Sequence, residues 1–155
     1  MNLDQPIVIR VPGVPVAQPR VRATTRGGHA AVYTPESIKA ADGSRKAHPI
    51  IAFKATCRMA ASAAYNGAPI SGPVRVDVVA VFPRPAAKVW ATKPMPRYRH
   101  TVKPDRDNLD KAILDCLTGI VLVDDRQACA GTIDKWHAAG DEQPHVLITI
   151  TRIAA

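Results

Sequence analysis

Carboxylates are concentrated in one short stretch of the chain, residues 103–125, with the sequence KPDRDNLDKAILDCLTGIVLVDD. Asp105 and Asp107 open this stretch, and Asp124 and Asp125 close it after the apolar run IVLV. We expect the apolar run to be buried and to return the chain alongside the preceding helical segment, where the four carboxylates could converge. Converging carboxylates repel one another and raise their own pKa values unless a cation compensates them. Because oxygen ligands favour Mg²⁺ or Mn²⁺, the pattern predicts a divalent-cation site able to activate water for phosphodiester hydrolysis.

The same residues also have simpler interpretations. Asp105 and Asp107 precede a segment with helical apolar spacing, and aspartate is favoured at the N-cap and in the first turn of a helix. Lys111 lies four residues after Asp107 and four before Asp115, which is the spacing of a salt-bridge ladder on one helical face. Alternatively, the Lys111 ammonium faces the cation site, where a fixed positive charge would stabilise a phosphoryl transition state. The spacing alone leaves both alternatives open.

The rest of the chain is strongly basic. The formal net charge is +8, and the basic excess precedes the acidic stretch: residues 1–103 hold 16 Lys and Arg against 4 Asp and Glu, whereas residues 104–155 hold 5 against 9. Such a charge indicates a polyanionic partner, with nucleic acid favoured and an anionic membrane surface a distant alternative.

Much of this charge lies in two proline-rich segments, at about 12–45 and 84–104, the first of which is also rich in glycine. We predict that both segments are loops that contact DNA phosphates. The candidate nucleic-acid-binding residues within them are Arg20, Arg22, Arg26, Arg97, Arg99 and Lys103. Trp90 and Tyr98 in the second segment could either stack on bases or cover the core.

Apolar patterns predict the elements that must position these residues. Strands are predicted at residues 7–11, 74–82, 126–136 and 146–153, and helices at about 46–65 and over the acidic stretch as far as Gly119. The 155 residues suit a single domain, 1–155, of the α/β (α+β) class, with a mixed sheet of about four strands and two main helices. No stretch is apolar enough to span a membrane, and the three cysteines follow neither a disulfide nor a zinc pattern. We therefore expect a soluble protein of a reducing cytoplasm.

The acidic stretch also resembles a known signature. The run DRDNLDKAILD, followed by LTG and then by VDDRQ, is similar to the signature of the RusA-type Holliday-junction resolvases, small endodeoxyribonucleases common in prophages. Looser similarities extend to the first strand with its VPGVPVAQPRVR loop, to Lys135 and to the final VLITI strand. The resemblance implies a homodimer of mixed α/β subunits. It also implies that Asp105, Asp107 and Asp125 hold Mg²⁺ and that Lys111 is the catalytic lysine.

On these grounds we expect a Mg²⁺-dependent endodeoxyribonuclease, in which Mn²⁺ can substitute, that resolves four-way (Holliday) junctions in DNA recombination and repair. The host would be a bacterium or its phage. Two alternatives remain: a nuclease that acts on forks or flaps, and a basic DNA-binding protein whose acidic helix is merely capped. Asp125 and Lys111 favour the enzyme over a protein that only binds DNA. Such a binding protein does not require a carboxylate pair after the apolar run.

Overall fold

A five-stranded mixed sheet forms the centre of the fold, and the computed structural model describes residues 5–26 and 28–154 of the chain. The strands of this sheet are β1 (Ile7–Pro12), β6 (Val74–Phe82), β7 (Tyr98–Arg99), β8 (Ala128–His137) and β9 (His145–Arg152), in the spatial order β1-β9-β6-β8-β7. Strand β6 pairs antiparallel with β9 and parallel with β8. Its alternating residues Val74, Val76, Val78 and Ala80 are buried. This alternation is the period-2 pattern of a strand that packs one face on the core.

Two helices pack against the sheet and against each other, α1 (Pro49–Ala64) and α2 (Arg106–Leu117). Helix α1 begins where His48 Nδ1 accepts a hydrogen bond from the Ile50 N–H at 3.1 Å, with proline at the first helical position. The buried side chains of α2 are Leu109, Ala112, Ile113, Cys116 and Leu117. Their spacing places one apolar stripe of α2 on the core and leaves its acidic residues off that stripe.

Strand β8 fixes the segment that leads into α2. Lys135 Nζ, on β8, donates hydrogen bonds to the carbonyl oxygens of Val102 at 2.8 Å and Pro104 at 2.5 Å. The His100 N–H donates to the Lys135 carbonyl oxygen at 3.0 Å. These bonds position the N-terminus of α2, and with it Asp105, beside the end of the sheet.

The prediction of a mixed α+β domain with two main helices is confirmed, and the sheet has a fifth strand, the two-residue β7. The segment predicted as a loop at 12–45 differs from that expectation, because it contains two small hairpins. Their strands are β2 (Arg22–Arg26) with β3 (His29–Tyr33), and β4 (Ser37–Lys39) with β5 (Arg45–Ala47). The described side chains of these strands are almost all exposed, so no apolar alternation marks the hairpins in the sequence. Within the part of the chain that the structure describes, no helix is both long and apolar enough to cross a bilayer.

Candidate active site

Asp105 occupies the N-cap position of α2, but its carboxylate does not cap the helix. No side-chain hydrogen bond joins it to the first-turn N–H groups. Its Oδ2 instead accepts a hydrogen bond from Arg20 Nη2 at 2.7 Å. Asp107 lies in the first turn and is exposed. Helix capping therefore does not explain the Asp105 side chain, which points to a residue 85 positions away in the sequence.

Asp105 lines a cavity of about 530 Å³ between the loop that follows β1 and the N-termini of both helices. The loop is held there by the Gln18 N–H, which donates to the Asn108 carbonyl oxygen at 2.8 Å. Gln18 Oε1 is buried and has no hydrogen-bond partner among the described residues. His48 and Lys103 complete the polar part of the wall. The cavity thus brings together a carboxylate, basic side chains and an amide oxygen without a hydrogen-bond partner among the described residues.

A larger groove of about 880 Å³ adjoins this cavity, and Arg20 and His48 line both. The groove lies among the two small hairpins, and its basic side chains are Arg20, Arg22, Lys39, Arg45 and His48. The structure therefore brings two of the predicted DNA-binding residues to one surface. The Arg26 side chain lies outside what the structure describes.

Sequence reasoning missed three of the groove residues, Lys39, Arg45 and His48. The first two lie on β4 and β5, whose pairing was not predicted, and the third is the cap of α1. They are separated from Arg22 by 17 or more positions. An isolated basic residue in the sequence does not indicate a binding site by itself. Only the fold of the two hairpins shows that these residues share one surface.

Arg97 and Arg99 have structural partners. Arg97 pairs with Glu142 in the β8–β9 connection, and this guanidinium, assisted by the Ala139 N–H, lowers the pKa of Glu142 to about 2. Arg99 forms an ion pair with Asp134 and lies 3.7 Å above the Trp136 ring. Both guanidinium groups fasten the second predicted loop to the sheet. Lys103, by contrast, is exposed at the wall of the acidic cavity.

The two aromatic residues of the second segment differ in exposure. Tyr98 stacks on His137 with ring centroids 4.5 Å apart, and the Arg84 guanidinium lies 4.9 Å from the Tyr98 ring. Tyr98 therefore covers part of the protein itself. Trp90 is 41% exposed, and the Arg84 guanidinium lies 6.0 Å from its ring.

The salt-bridge ladder through Lys111, one of the two alternatives for this residue, is not formed among the described residues. Asp115 pairs instead with Lys54 of α1, Nζ to Oδ2 at 2.9 Å, which ties the two helices together. Lys111 is exposed and makes no ion pair within the described part of the chain. The ladder fails because the α1–α2 packing offers Asp115 a partner on another helix. The Lys111 ammonium is thus left one turn along α2 from Asp107, facing solvent.

Of the two adjacent aspartates, Asp124 has a local structural role. It caps the short 3-10 helix Asp125–Gln127 and accepts two hydrogen bonds from the Arg126 guanidinium, at 2.8 and 2.9 Å, and one from the Arg126 N–H, at 2.9 Å. The Arg126 guanidinium and backbone N–H hold the pKa of the Asp124 carboxyl well below its usual range. Asp125 is exposed beside this pair.

Within the part of the chain that the structure describes, the predicted convergence of four carboxylates is not present. Among residues 5–26 and 28–154, no three His, Cys, Asp or Glu side chains lie close enough together to hold a metal ion. The apolar run is buried only at Val121 and Leu122, since Ile120 is half-buried and Val123 is 58% exposed. The run pairs with Ile70, whose N–H donates to the Val121 carbonyl oxygen at 2.7 Å. The 3-10 helix that follows the run, Asp125–Gln127, contacts α2. A tight turn precedes the apolar run and begins at the C-terminal end of α2. The 12 residues of α2 span about 18 Å. The donor types suit Mg²⁺, but their arrangement does not form a ready site.

Comparison with known proteins gives two matches. A protein-family model described as endodeoxyribonuclease RusA matches residues 12–151. A Bacillus subtilis (strain 168) protein named "Uncharacterized protein YqaN" is 29% identical over 154 residues, which cover 96% of this chain and 98% of that protein. The family match includes the groove, the whole of α2 and the Asp124–Asp125 pair.

Proposed function

Because the chain belongs to the endodeoxyribonuclease RusA family, we propose that it is a structure-selective nuclease that resolves four-way (Holliday) DNA junctions. The reaction is hydrolysis of phosphodiester bonds. Its setting is DNA recombination and repair in the cytoplasm of a bacterium, including one that carries a prophage. The three free cysteines are compatible with a reducing compartment.

One observation carries this proposal: an acidic helix N-terminus opens onto a basic groove. Asp105 and Asp107 supply carboxylates at the end of α2, and Arg20 lies at the boundary where the acidic cavity and the groove meet. A nuclease needs such a pairing, since the basic surface holds the phosphate backbone and the acidic surface meets the bond to be cut. A pure DNA-binding protein would need the basic groove alone. The absence of a capping bond from Asp105 supports the enzyme over that alternative.

The proposed roles of the residues follow from their positions and chemistry. Asp105, Asp107 and Asp125 are the candidate ligands for Mg²⁺, or for Mn²⁺ in its place, because they are exposed or half-buried carboxylates. When bound, such an ion would activate water and compensate negative charge. The described residues of one chain do not assemble these three groups. Cation binding therefore requires a rearrangement or a carboxylate from a second copy, and we propose a homodimer.

Lys111 and the basic groove contribute without a cation. The Lys111 ammonium is exposed and free of carboxylate partners in the described residues, so it can meet negative charge on the phosphoryl oxygens of a bound strand. Arg20, Arg22 and Lys103 lie at the surfaces that would hold the neighbouring phosphates. Arg26 is proposed for the same role from its position on β2. Arg97 and Arg99 would contact DNA only with the parts of their side chains left outside their ion pairs.

A substrate panel tests the proposal. Four-way junctions, replication forks, flaps and linear duplexes of the same sequence and end label are incubated with the protein, with and without Mg²⁺, and the products are separated on denaturing gels. We expect cleavage of the junction in Mg²⁺ at a rate at least about tenfold above that of the linear duplex. Faster cutting of forks or flaps would identify those structures as the preferred substrates. Binding of DNA without any cleavage would favour a DNA-binding protein that has no nuclease activity. Asp107→Asn prepared in parallel controls for contaminating nucleases.

A further inference from the structure

Arg20 is the one described residue that contributes a guanidinium both to the acidic cavity and to the basic groove. Its Nη2 lies 2.7 Å from Asp105 Oδ2. The pair is largely solvated, since the Arg20 side chain is 80% exposed and the Asp105 side chain 41%. Exposed pairs of this kind shift an equilibrium by no more than about fivefold. Arg20 can therefore exchange partners at little cost.

The groove beside Arg20 has the features of a phosphate-backbone site. Arg22, Lys39 and Arg45 line it from three different strands and His48 from the N-cap of α1. None of the three Arg and Lys residues has an ion-pair partner among the described residues. Their guanidinium and ammonium groups are the donors that bind phosphate most strongly. The described wall of the groove includes no carboxylate. A DNA strand is thus the ligand class that fits this surface.

Resting on the proposed function, we infer that one DNA strand occupies this groove and that its phosphate takes Arg20 away from Asp105. Strand binding then releases the Asp105 carboxylate at the moment when a phosphodiester lies beside it. The exchange frees one of the proposed ligands, which in this structure is held by an arginine. Arg20 is accordingly a positioning residue, shared between substrate binding and the acidic site.

A double-mutant cycle on DNA affinity tests the exchange without any metal. Fluorescence anisotropy measures binding of a fluorescein-labelled four-way junction in EDTA to the wild type, Arg20→Gln, Asp105→Asn and the double variant. Asp107→Asn is the matched control. It removes the same negative charge at a position two residues from Asp105, and the Asp107 carboxylate does not contact Arg20. We expect Asp105→Asn to tighten binding about two- to fivefold more than Asp107→Asn in the wild-type background. In the Arg20→Gln background the two Asn substitutions should have equal effects.

The groove itself is tested by Lys39→Gln with Arg45→Gln. This pair should weaken junction binding about tenfold or more and reduce the slope of log Kd against log salt by about one unit per lost phosphate contact. Arg152→Gln, at an exposed position at the end of β9, should do neither. An unchanged salt slope in the groove variant would place the strand elsewhere. Thermal melting confirms that each variant is folded.

The outcomes separate this inference from the proposed function. If Asp105→Asn tightens binding equally with and without Arg20, the partner exchange is refuted, even when the wild type cuts junctions in Mg²⁺. If the effect of Asp105→Asn on binding depends on Arg20 but no branched DNA is cut, the exchange of partners by Arg20 is supported and the nuclease proposal is refuted.

Discussion

Replacing Lys111 by methionine should greatly slow catalysis and leave stability nearly unchanged. Lys111 is exposed on α2 and forms no ion pair within the part of the chain that the structure covers, while Asp115 is taken by Lys54. A surface substitution without partners changes the free energy of unfolding by less than about 0.5 kcal/mol. For a domain of this length, that corresponds to a change in Tm of no more than about 2 °C.

The expected loss in rate is much larger. If the Lys111 ammonium meets charge that develops on the phosphoryl oxygens, its removal should lower the single-turnover rate on the order of a hundredfold, or about 2.7 kcal/mol of transition-state stabilisation. Lys111→Arg should restore little of this rate, because a planar guanidinium does not reproduce a compact ammonium charge. The assay is single-turnover cleavage of a four-way junction at saturating enzyme, with thermal melting of the same samples.

Lys54→Met is the matched control, since it removes a lysine that does have a structural partner. Its pair with Asp115 joins α1 to α2 and is about two-thirds buried, with 30% and 34% of the side chains exposed. Loss of the pair should cost up to about 1 kcal/mol and lower Tm by about 2–4 °C, with the cleavage rate unchanged. A Lys111→Met variant that cuts at the wild-type rate would refute the catalytic role of Lys111.

Three further predictions follow from the acidic residues. Cleavage should require Mg²⁺ or Mn²⁺, and Ca²⁺ should support junction binding with little cutting; undiminished cutting in excess EDTA would exclude a cation. Asp105→Asn, Asp107→Asn and Asp125→Asn should each abolish cleavage while retaining or tightening binding in a gel-shift assay, because each removes a negative charge near a polyanion. Because Arg97 lowers the pKa of Glu142 from 4.5 to about 2, the stability that Glu142 contributes should be complete above about pH 4.5 and lost as the pH falls through about 2. Glu142→Gln should therefore flatten the pH dependence of the urea midpoint in that window, and an unchanged profile would show that the Glu142 pair does not contribute.

Much of the scaffold is predictable from the sequence because burial leaves a periodic trace. The alternation of Val74, Val76 and Val78 identifies β6, and the apolar spacing from Leu109 to Leu117 identifies α2. The hairpins at 22–47 leave no such trace, since their described side chains mostly face solvent and their strands are joined by backbone pairing. The groove that they form could not be inferred for the same reason.

The candidate site is predictable in its residue types and less so in its geometry. The DRD and DD pairs identify the carboxylates in the sequence. The distance between the two pairs, however, depends on the hydrogen bonds between the apolar run and Ile70, which is far from the run in the sequence. The Arg20–Asp105 pair joins residues 85 positions apart, and the Lys54–Asp115 pair joins residues 61 apart. Ion pairs between residues distant in the sequence therefore determine which local interactions of Asp105 and Asp115 form, and the sequence spacing alone does not reveal them.

A supercoiled plasmid that extrudes a cruciform tests the central claim most directly. A junction resolvase makes paired cuts on opposite strands while it remains bound, which converts the plasmid to a linear product. We predict Mg²⁺-dependent linearisation by the wild type at the cruciform base and no linear product with Asp107→Asn. Nicked circles alone, or cutting at random positions in a plasmid without a cruciform, would contradict the assignment as a junction-resolving nuclease.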